Sequence, residues 1–443
     1  MKAEVAGSNP VYHPMKNKTQ TLKGFRDFLP QTMAVRNYVK NLLVEVFENS
    51  GFLPLETPAL EYASTLMGKY GQEADKLVYS FKDRGNRQIG LRYDLTVPTA
   101  KVLALYQNEI PLPFKRYQIQ PVWRADKPQK GRYREILQCD IDIFGPISPL
   151  NDAEIISIIY RVLEKLNFKK YSIRLNSRQV LKSILDNTGI KKDRNLIFQS
   201  LDKLQKVGYS GVTKELKDKG LSSSQIQKIF SQIKSAKPDP YLQQVLNRID
   251  QTGTPKSVYV FDPTLVRGLD YYTGPIFETY VEDKNLPAGL PAVVGRQLGS
   301  ITGGGRYDNL ISQLGGPDIP AVGTTIGLDR IVDCILDQNL LPQISPSKVK
   351  LMLANFSPET EKQALKLNSL LQQNNIPSFL YPQADKMAKQ IKYAEKLNVP
   401  FLAIIGPDEA KSNKVTLKNL KTRQQQTLTL NQLISLLAPE TKS

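Results

Sequence analysis

The chain has 443 residues, a formal net charge of +18 and an isoelectric point near 9.5. Its length suits two or three domains, and its charge suits a polyanionic partner such as nucleic acid. Two cysteines (Cys139, Cys334) exclude a disulfide framework, the single His13 argues against histidine acid–base catalysis, and the lack of a long apolar run or an N-terminal signal segment points to a cytoplasmic protein without a membrane span.

Residues 32–49 place Val35, Val39, Leu42, Leu43, Val46 and Phe47 at helical spacing, and Gly51 closes that helix. Residues 52–58 follow as a short extended segment whose two prolines suit a sheet edge or a subunit contact. Residues 91–96 read as a strand end with Arg92, Asp94 and Thr96 on one face, followed by a helix with Pro98 in its first turn. An acid and a hydroxyl there could grip a ligand ammonium group, or could simply form a polar strand face. Residues 117–124 and 135–144 read as two antiparallel strands joined by a turn holding Lys127, Lys130, Arg132 and Arg134, a hairpin suited to phosphate. On the second strand Gln138, Asp140 and Asp142 share one face, and Cys139, Ile141 and Ile143 the other. Three polar groups on one strand face are costly to bury unless a ligand bonds them.

Residues 152–166 form an amphipathic helix by pattern. Residues 177–250 are mostly helical and rich in lysine and glutamine, broken by Gly208, Gly211 and Gly220 and offered caps by Ser222–Ser224, which marks a helical insertion. A strand at 258–262 leads into residues 265–278, Leu-Val-Arg-Gly-Leu-Asp-Tyr-Tyr-Thr-Gly-Pro-Ile-Phe-Glu. There Arg267 offers a planar cation for phosphate or carboxylate, Tyr271 and Tyr272 offer flat walls with polar tips, and glycine allows close approach to a ligand. Three glycines at 303–305 allow the same. At 321–331, Gly323, Gly327 and Arg330 sit at a strand-to-helix junction that suits a nucleotide. Residues 342–348 form a linker. Beyond it, strands expected at 349–356, 376–381, 400–406, 414–417 and 427–430 alternate with helices at 359–373 and 385–397, and a last helix runs to about residue 437, a separate α/β domain.

Taken together, these segments resemble a class II aminoacyl-tRNA synthetase, specifically the histidyl-tRNA synthetase family, over nearly the whole chain. Residues 267–274, Arg-Gly-Leu-Asp-Tyr-Tyr-Thr-Gly, resemble the family's histidine signature. Residues 124–144 resemble class motif 2, residues 323–330 motif 3 and residues 32–58 motif 1. The resemblance implies an α+β fold: an antiparallel sheet flanked by helices, with the helical insertion at 177–250 inside a catalytic domain of residues 1–341 and an anticodon-binding α/β domain at 349–443. It implies a homodimer whose partners are L-histidine, ATP with its Mg2+ and tRNA(His), with no metal held by the protein itself. It implies site roles as well. Arg124 and Arg267 would act on the ATP α-phosphate as the catalytic pair, Arg132 would reach the terminal phosphates, and Arg330 would stack on adenine. Asp94 and Thr96 would bind the histidine ammonium group with Gln138 nearby, Asp142, Tyr271 and Tyr272 would surround the imidazole, and Leu95, Arg124 and Arg267 would also contact histidine. Two positions depart from the class pattern: Asp126 stands where glutamate is frequent, and Ile136 where an aromatic often lies under adenine. The synthetase-like regulatory subunit of ATP phosphoribosyltransferase shares this core, but it typically lacks the C-terminal domain and keeps the signature poorly; both are intact here.

Overall fold

The structure, a computed structural model, describes residues 19–68, 75–128, 133–190, 194–267, 271–281, 300–341 and 344–438. The chain divides into two compact units, one of residues 1–27 and 39–341, the other of residues 28–38 and 342–443. No helix among the described residues is long and apolar enough to cross a membrane.

The larger unit carries β1 (Leu53–Pro54), β2 (Leu60–Tyr62), β3 (Ser80–Lys82), β4 (Gln88–Leu91), β5 (Phe114–Trp123), β6 (Glu135–Phe144), β7 (Tyr171–Ser177), β8 (Tyr259–Phe261), β9 (Pro275–Val281), β10 (Thr302–Arg306) and β11 (Ala321–Gly327). Eight of these form one sheet in the order β1-β5-β6-β11-β10-β9-β7-β8, and β2-β4-β3 form a small one. The large sheet is antiparallel through its middle and parallel only at its two edges, β1 with β5 and β8 with β7. The proline-bearing β1 lies at an edge, where a missing N–H does no harm.

The alternation expected on β6 decides which way the sheet faces. Cys139, Ile141 and Ile143 are buried on its back, toward the helix Pro149–Lys165, which packs on β6, β10 and β11. That helix starts at Pro149, is capped by the Ser148 hydroxyl accepting from the Leu150 N–H at 3.3 Å, and buries Ile155, Ile156, Ile158, Ile159, Val162 and Leu163. The polar side of β6 is left to the opposite face, where the cavity lies.

The insertion is helical as expected, with helices Arg178–Asn187, Arg194–Asp202, Leu204–Asp218, Ser223–Ser235 and Pro240–Gln251. Gly208 kinks the third at φ 69°, and Ser222 with Gln225 forms a capping box on the fourth. Gly211, expected to break the run, sits inside a helix. The buried faces of the first four, with Leu181, Leu185, Phe198, Leu201, Leu216 and Ile229, join the same apolar cluster as Tyr271, Tyr272 and Tyr307, whereas Pro240–Gln251 packs on the helix Pro149–Lys165. The insertion is therefore part of the body that builds the cavity.

The smaller unit has a five-stranded sheet in the order β13-β12-β14-β15-β16, from β12 (Leu351–Leu353), β13 (Ser378–Leu380), β14 (Phe401–Ile404), β15 (Lys414–Asn419) and β16 (Gln425–Thr429). The helices Pro358–Gln373 and Met387–Lys396 and the closing helix Leu430–Leu437 fall where the sequence pattern put them. A further helix, Pro407–Ser412, is short enough to have left no periodic signal.

Another expectation also fails. The strand expected over residues 91–96 stops at Leu91, and a helix begins at Thr96, so no alternating face forms there. Arg92 is instead turned inward. Its Nε donates to the Pro121 carbonyl at 2.8 Å, and its Nη1 to the Thr57 carbonyl at 2.6 Å and to Gln120 Oε1 at 3.0 Å. Burial pushes its pKa below the usual arginine range, against the opposing pull of Glu56 and Glu61. Arg92 thus ties β5 to the segment before β2 and takes no part in a ligand face. Removing it takes the side-chain donor from the Thr57 and Pro121 carbonyls, while Gln120 Oε1 keeps the Thr57 N–H and Gln118 Nε2. Arg92→Ala should lower the chemical-denaturation stability of the larger unit by about 2–4 kcal/mol; an unchanged midpoint would mean that water satisfies those acceptors.

Candidate functional site

A cavity of about 560 Å3 opens over the polar face of the large sheet. Its floor is set by strand register. Arg116 on β5 lies directly opposite Asp142 on β6, and Gly323 on β11 opposes Asp142 from the other side. Arg116 is wholly buried, and its Nη2 lies 2.6 Å from Asp142 Oδ2. The Tyr307 hydroxyl donates to Asp142 Oδ1. Burial raises the Asp142 pKa, and Arg116 and Tyr307 offset that in part. Gly323 is required by close approach, since a Cβ there would lie 1.8 Å from Asp142 Oδ1 and 2.7 Å from the Ile141 carbonyl oxygen.

Two residues along β6, Asp140 and Gln138 also line the cavity. Asp94 and Thr96 enter from the start of the helix Thr96–Leu105, where Asp94 Oδ1 accepts from the Val97 N–H at 3.1 Å. Tyr271, Tyr272 and Tyr307 close one side; the first two rings are 4.8 Å apart, and Tyr271 meets Tyr307 edge-on at 5.9 Å. Burial pushes the Tyr271 and Tyr307 hydroxyls well above the usual range, so both stay neutral donors.

Cations form the rest of the wall. Arg267 forms an ion pair with Glu278 at 3.2 Å, donates to the Phe277 carbonyl at 3.3 Å and lies 5.2 Å from the Tyr272 ring centre. Burial works against its charge, yet Tyr272, Glu278, Tyr271 and Asp202 outweigh this and raise its pKa. Gly303 makes room for it, since a Cβ there would meet Arg267 Nη1 at 2.0 Å. Arg124 donates from Nε to the Tyr93 carbonyl at 3.0 Å and lies 4.4 Å from the Tyr93 ring centre. Arg330, on the helix Leu328–Gln338, donates to the Ser300 carbonyl at 2.5 Å. Asp94, Asp140 and Asp142 thus lie near one another, while Arg124, Arg267 and Arg330 line the rest, with Glu278 paired to Arg267. This suits a ligand with an N–H-bearing end and an anionic end. Among the described residues no cluster of three or more histidine, cysteine or acidic side chains could hold a metal ion.

Of the residues singled out by sequence, Asp94, Thr96, Arg124, Gln138, Asp142, Arg267, Tyr271, Tyr272 and Arg330 all line this cavity. Leu95 does not; its side chain is fully buried, and its carbonyl accepts from the Thr99 N–H and hydroxyl. Arg132 lies outside the described residues. Arg134, from the same basic turn, folds back onto the Asp126 and Lys23 carbonyls. Ile136 lines the cavity, as does Tyr133, whose ring is covered by Arg26 at 3.2 Å. Arg116, Tyr307, Glu278 and the insertion residues Gln199, Asp202 and Lys203 were not anticipated as site residues. Tyr307 lies just past the glycine run, after Arg306, and that position was its only signal.

The family model described as Histidyl-tRNA synthetase matches residues 24–331, and that described as Anticodon binding domain matches residues 349–439. The Histidine--tRNA ligase of Christiangramia forsetii is 37% identical, with 95% of this chain and 99% of that protein covered. The one from Bacteroides fragilis is 38% identical, with 94% and 98% covered. Among solved structures, a histidyl-tRNA synthetase from Nostoc sp. PCC 7120 superposes with a TM-score of 0.77 at 28% identity, over 95% of this chain and 99% of that one.

The two close glycine contacts differ in what must move. At Gly303 the obstacle is the tip of a long side chain; at Gly323 it includes backbone. Gly323→Ala should therefore destabilise the fold by about 1–3 kcal/mol while Gly303→Ala stays within about 1 kcal/mol of wild type. Parallel denaturation curves check this, and equal losses would contradict the packing described.

Proposed function

The chain belongs to the histidyl-tRNA synthetase family, and from that premise we propose how its cavity serves the reaction. The activity is ATP-dependent attachment of L-histidine to tRNA(His) through a histidyl-adenylate, releasing AMP and diphosphate. The observation that carries the assignment of residues is Asp142, held between Arg116 and Tyr307 on the floor of a cavity walled by arginines.

In the first step a histidine carboxylate oxygen attacks the α-phosphorus, and the bond to the bridging oxygen of the leaving diphosphate breaks. The nucleophile is already anionic, so no general base is needed, in keeping with a chain that has one histidine. What the step needs is alignment and neutralisation of charge growing on phosphate. Arg124 and Arg267 serve the α-phosphate, Arg330 the adenine and Arg132 the terminal phosphates. Mg2+ enters with the nucleotide, and no dedicated protein ligand is assigned to it. Asp142 accepts an imidazole N–H, and Tyr271, Tyr272 and Tyr307 pack around the ring. Asp94, Thr96 and Gln138 face the ammonium end. A site built for these bonds rejects amino acids that lack them. Residues 1–341 act as the catalytic domain, with the insertion at 177–250, and residues 349–443, beyond the linker, contact the anticodon, with salt-sensitive phosphate contacts to the tRNA. The enzyme works in the cytoplasm as a homodimer.

Histidine-dependent ATP–pyrophosphate exchange tests the reading; exchange with no amino acid, or with a different one, would overturn it. If Arg267 neutralises charge that grows in the transition state, Arg267→Ala should slow adenylation in single turnovers by roughly two to four decades and change ATP and histidine affinities much less. Arg267→Lys should rescue only in part, because a point charge cannot reproduce the planar group. A destabilised variant with an unchanged chemical step would make Arg267 a brace for its loop.

A further inference from the structure

The floor holds two acceptors that the fold leaves without donors. Gln138 Nε2 donates to the Thr325 hydroxyl at 3.2 Å, which leaves Gln138 Oε1 buried and unpartnered. Asp140 shares Thr325, its register partner on β11, through one carboxyl oxygen, and its Oδ1 is likewise buried and unpartnered. The residue opposite Asp140 on β5, Gln118, is spent elsewhere: its Nε2 donates to Thr57 and Gln120, and its Oε1 accepts from Thr99. Gln138 and Asp140 both line the cavity and stand roughly 7 Å apart along β6. Two side chains at that spacing can close around one nitrogen. An unmet buried acceptor is expensive, and an unmet buried carboxylate more so.

We propose that Asp140 is a further amino-acid-binding carboxylate, which together with the side-chain oxygen of Gln138 takes the α-ammonium group of the bound histidine. An imidazole N–H brings one donor, and Asp142 already claims it. An ammonium group brings three donors and a positive charge. The charged groups facing Asp140 are Arg116 on β5, Asp142 on its own strand and Asp94 ahead of the helix Thr96–Leu105; β11 contributes only the neutral Thr325. Asp329, on the helix packed against β6, is occupied by Arg26 and the Leu137 N–H, and on the helix behind the sheet Asp152 pairs with Arg306 and Glu154 with Lys115. With no ligand bound, burial pushes the Asp140 carboxyl up to about 8, with Arg116 pulling it down and Asp142 pushing it further up. Asp140 is then mostly protonated at pH 7. An arriving ammonium favours the ionised form, so the proton leaves to solvent. Histidine affinity should accordingly rise as pH rises from 7 toward 8.

The proposal rests on the histidine-activating reading above. Calorimetry on the full-length protein at pH 7, in buffers of different ionisation enthalpy, separates it from its rivals. The probes are histidinol, which keeps the amine, and 3-(imidazol-4-yl)propionate, which lacks it. Wild type should release close to one proton on binding histidinol and markedly less with the propionate. In Asp140→Asn that release should vanish, and histidinol affinity should fall on the order of ten- to a hundredfold, with the propionate little changed. Equal losses for both probes with a lowered melting temperature would make Asp140 a brace of the floor and overturn the proposal, as would no loss for either. Wild-type protein that fails to exchange pyrophosphate with histidine would overturn the underlying reading instead.

Discussion

The cavity depends on one buried ion pair. Arg116 and Asp142 face each other across the adjacent strands β5 and β6, where the reverse side of β6 is apolar. Two charges taken out of water gain little net stability from each other, and an apolar pair of the same volume would hold the sheet as well or better. The pair is therefore better understood through what it presents: Arg116 and the Tyr307 hydroxyl fix the orientation of a carboxyl beneath an otherwise open cavity. The register of β5, β6 and β11 produces this arrangement, and a slip of one residue would turn Asp142 to the apolar side. Gly323 is the local condition, because any side chain at that point on β11 would occupy the space of the carboxyl.

The arginine wall obeys the opposite rule. Arg124, Arg267 and Arg330 each lean on a backbone carbonyl, and Arg267 also on Glu278. Each is thus held in place by the protein itself, which in the proposed reaction would leave little reorganisation for the moment when charge develops. In the proposed reading, Asp94, Asp140 and Asp142 would serve a donor-rich amino acid and Arg124, Arg267 and Arg330 the nucleotide. That division is what an amino-acid-activating enzyme without a histidine base requires.

Much of this could be read from the sequence, for a local reason. Gln138 and Asp142 announced themselves by period-two alternation against Cys139, Ile141 and Ile143, and Arg267 with Tyr271 and Tyr272 by their density in one short segment. Arg116 was missed because the strand was expected to begin at Tyr117, one residue later, and because its importance comes from the residue across the ladder. Arg92 was expected on the strand face of Asp94 and Thr96 but turns into the carbonyls of Thr57 and Pro121, partners set by tertiary packing alone. Tyr307 sits behind a glycine run whose strand character arises from pairing with β9 and β11, since glycine has no strand preference of its own. The reach of the insertion into the cavity, through Gln199, Asp202 and Lys203, likewise depends on how helices pack.

In the proposed reading Arg116 and Asp142 act as one unit to select the amino acid. A double-mutant cycle of Arg116→Met and Asp142→Asn on kcat/KM for histidine in pyrophosphate exchange tests it most directly. The double variant should be scarcely worse than either single one, with ATP KM near wild type throughout. Losses that simply add, or that fall equally on ATP, would contradict it.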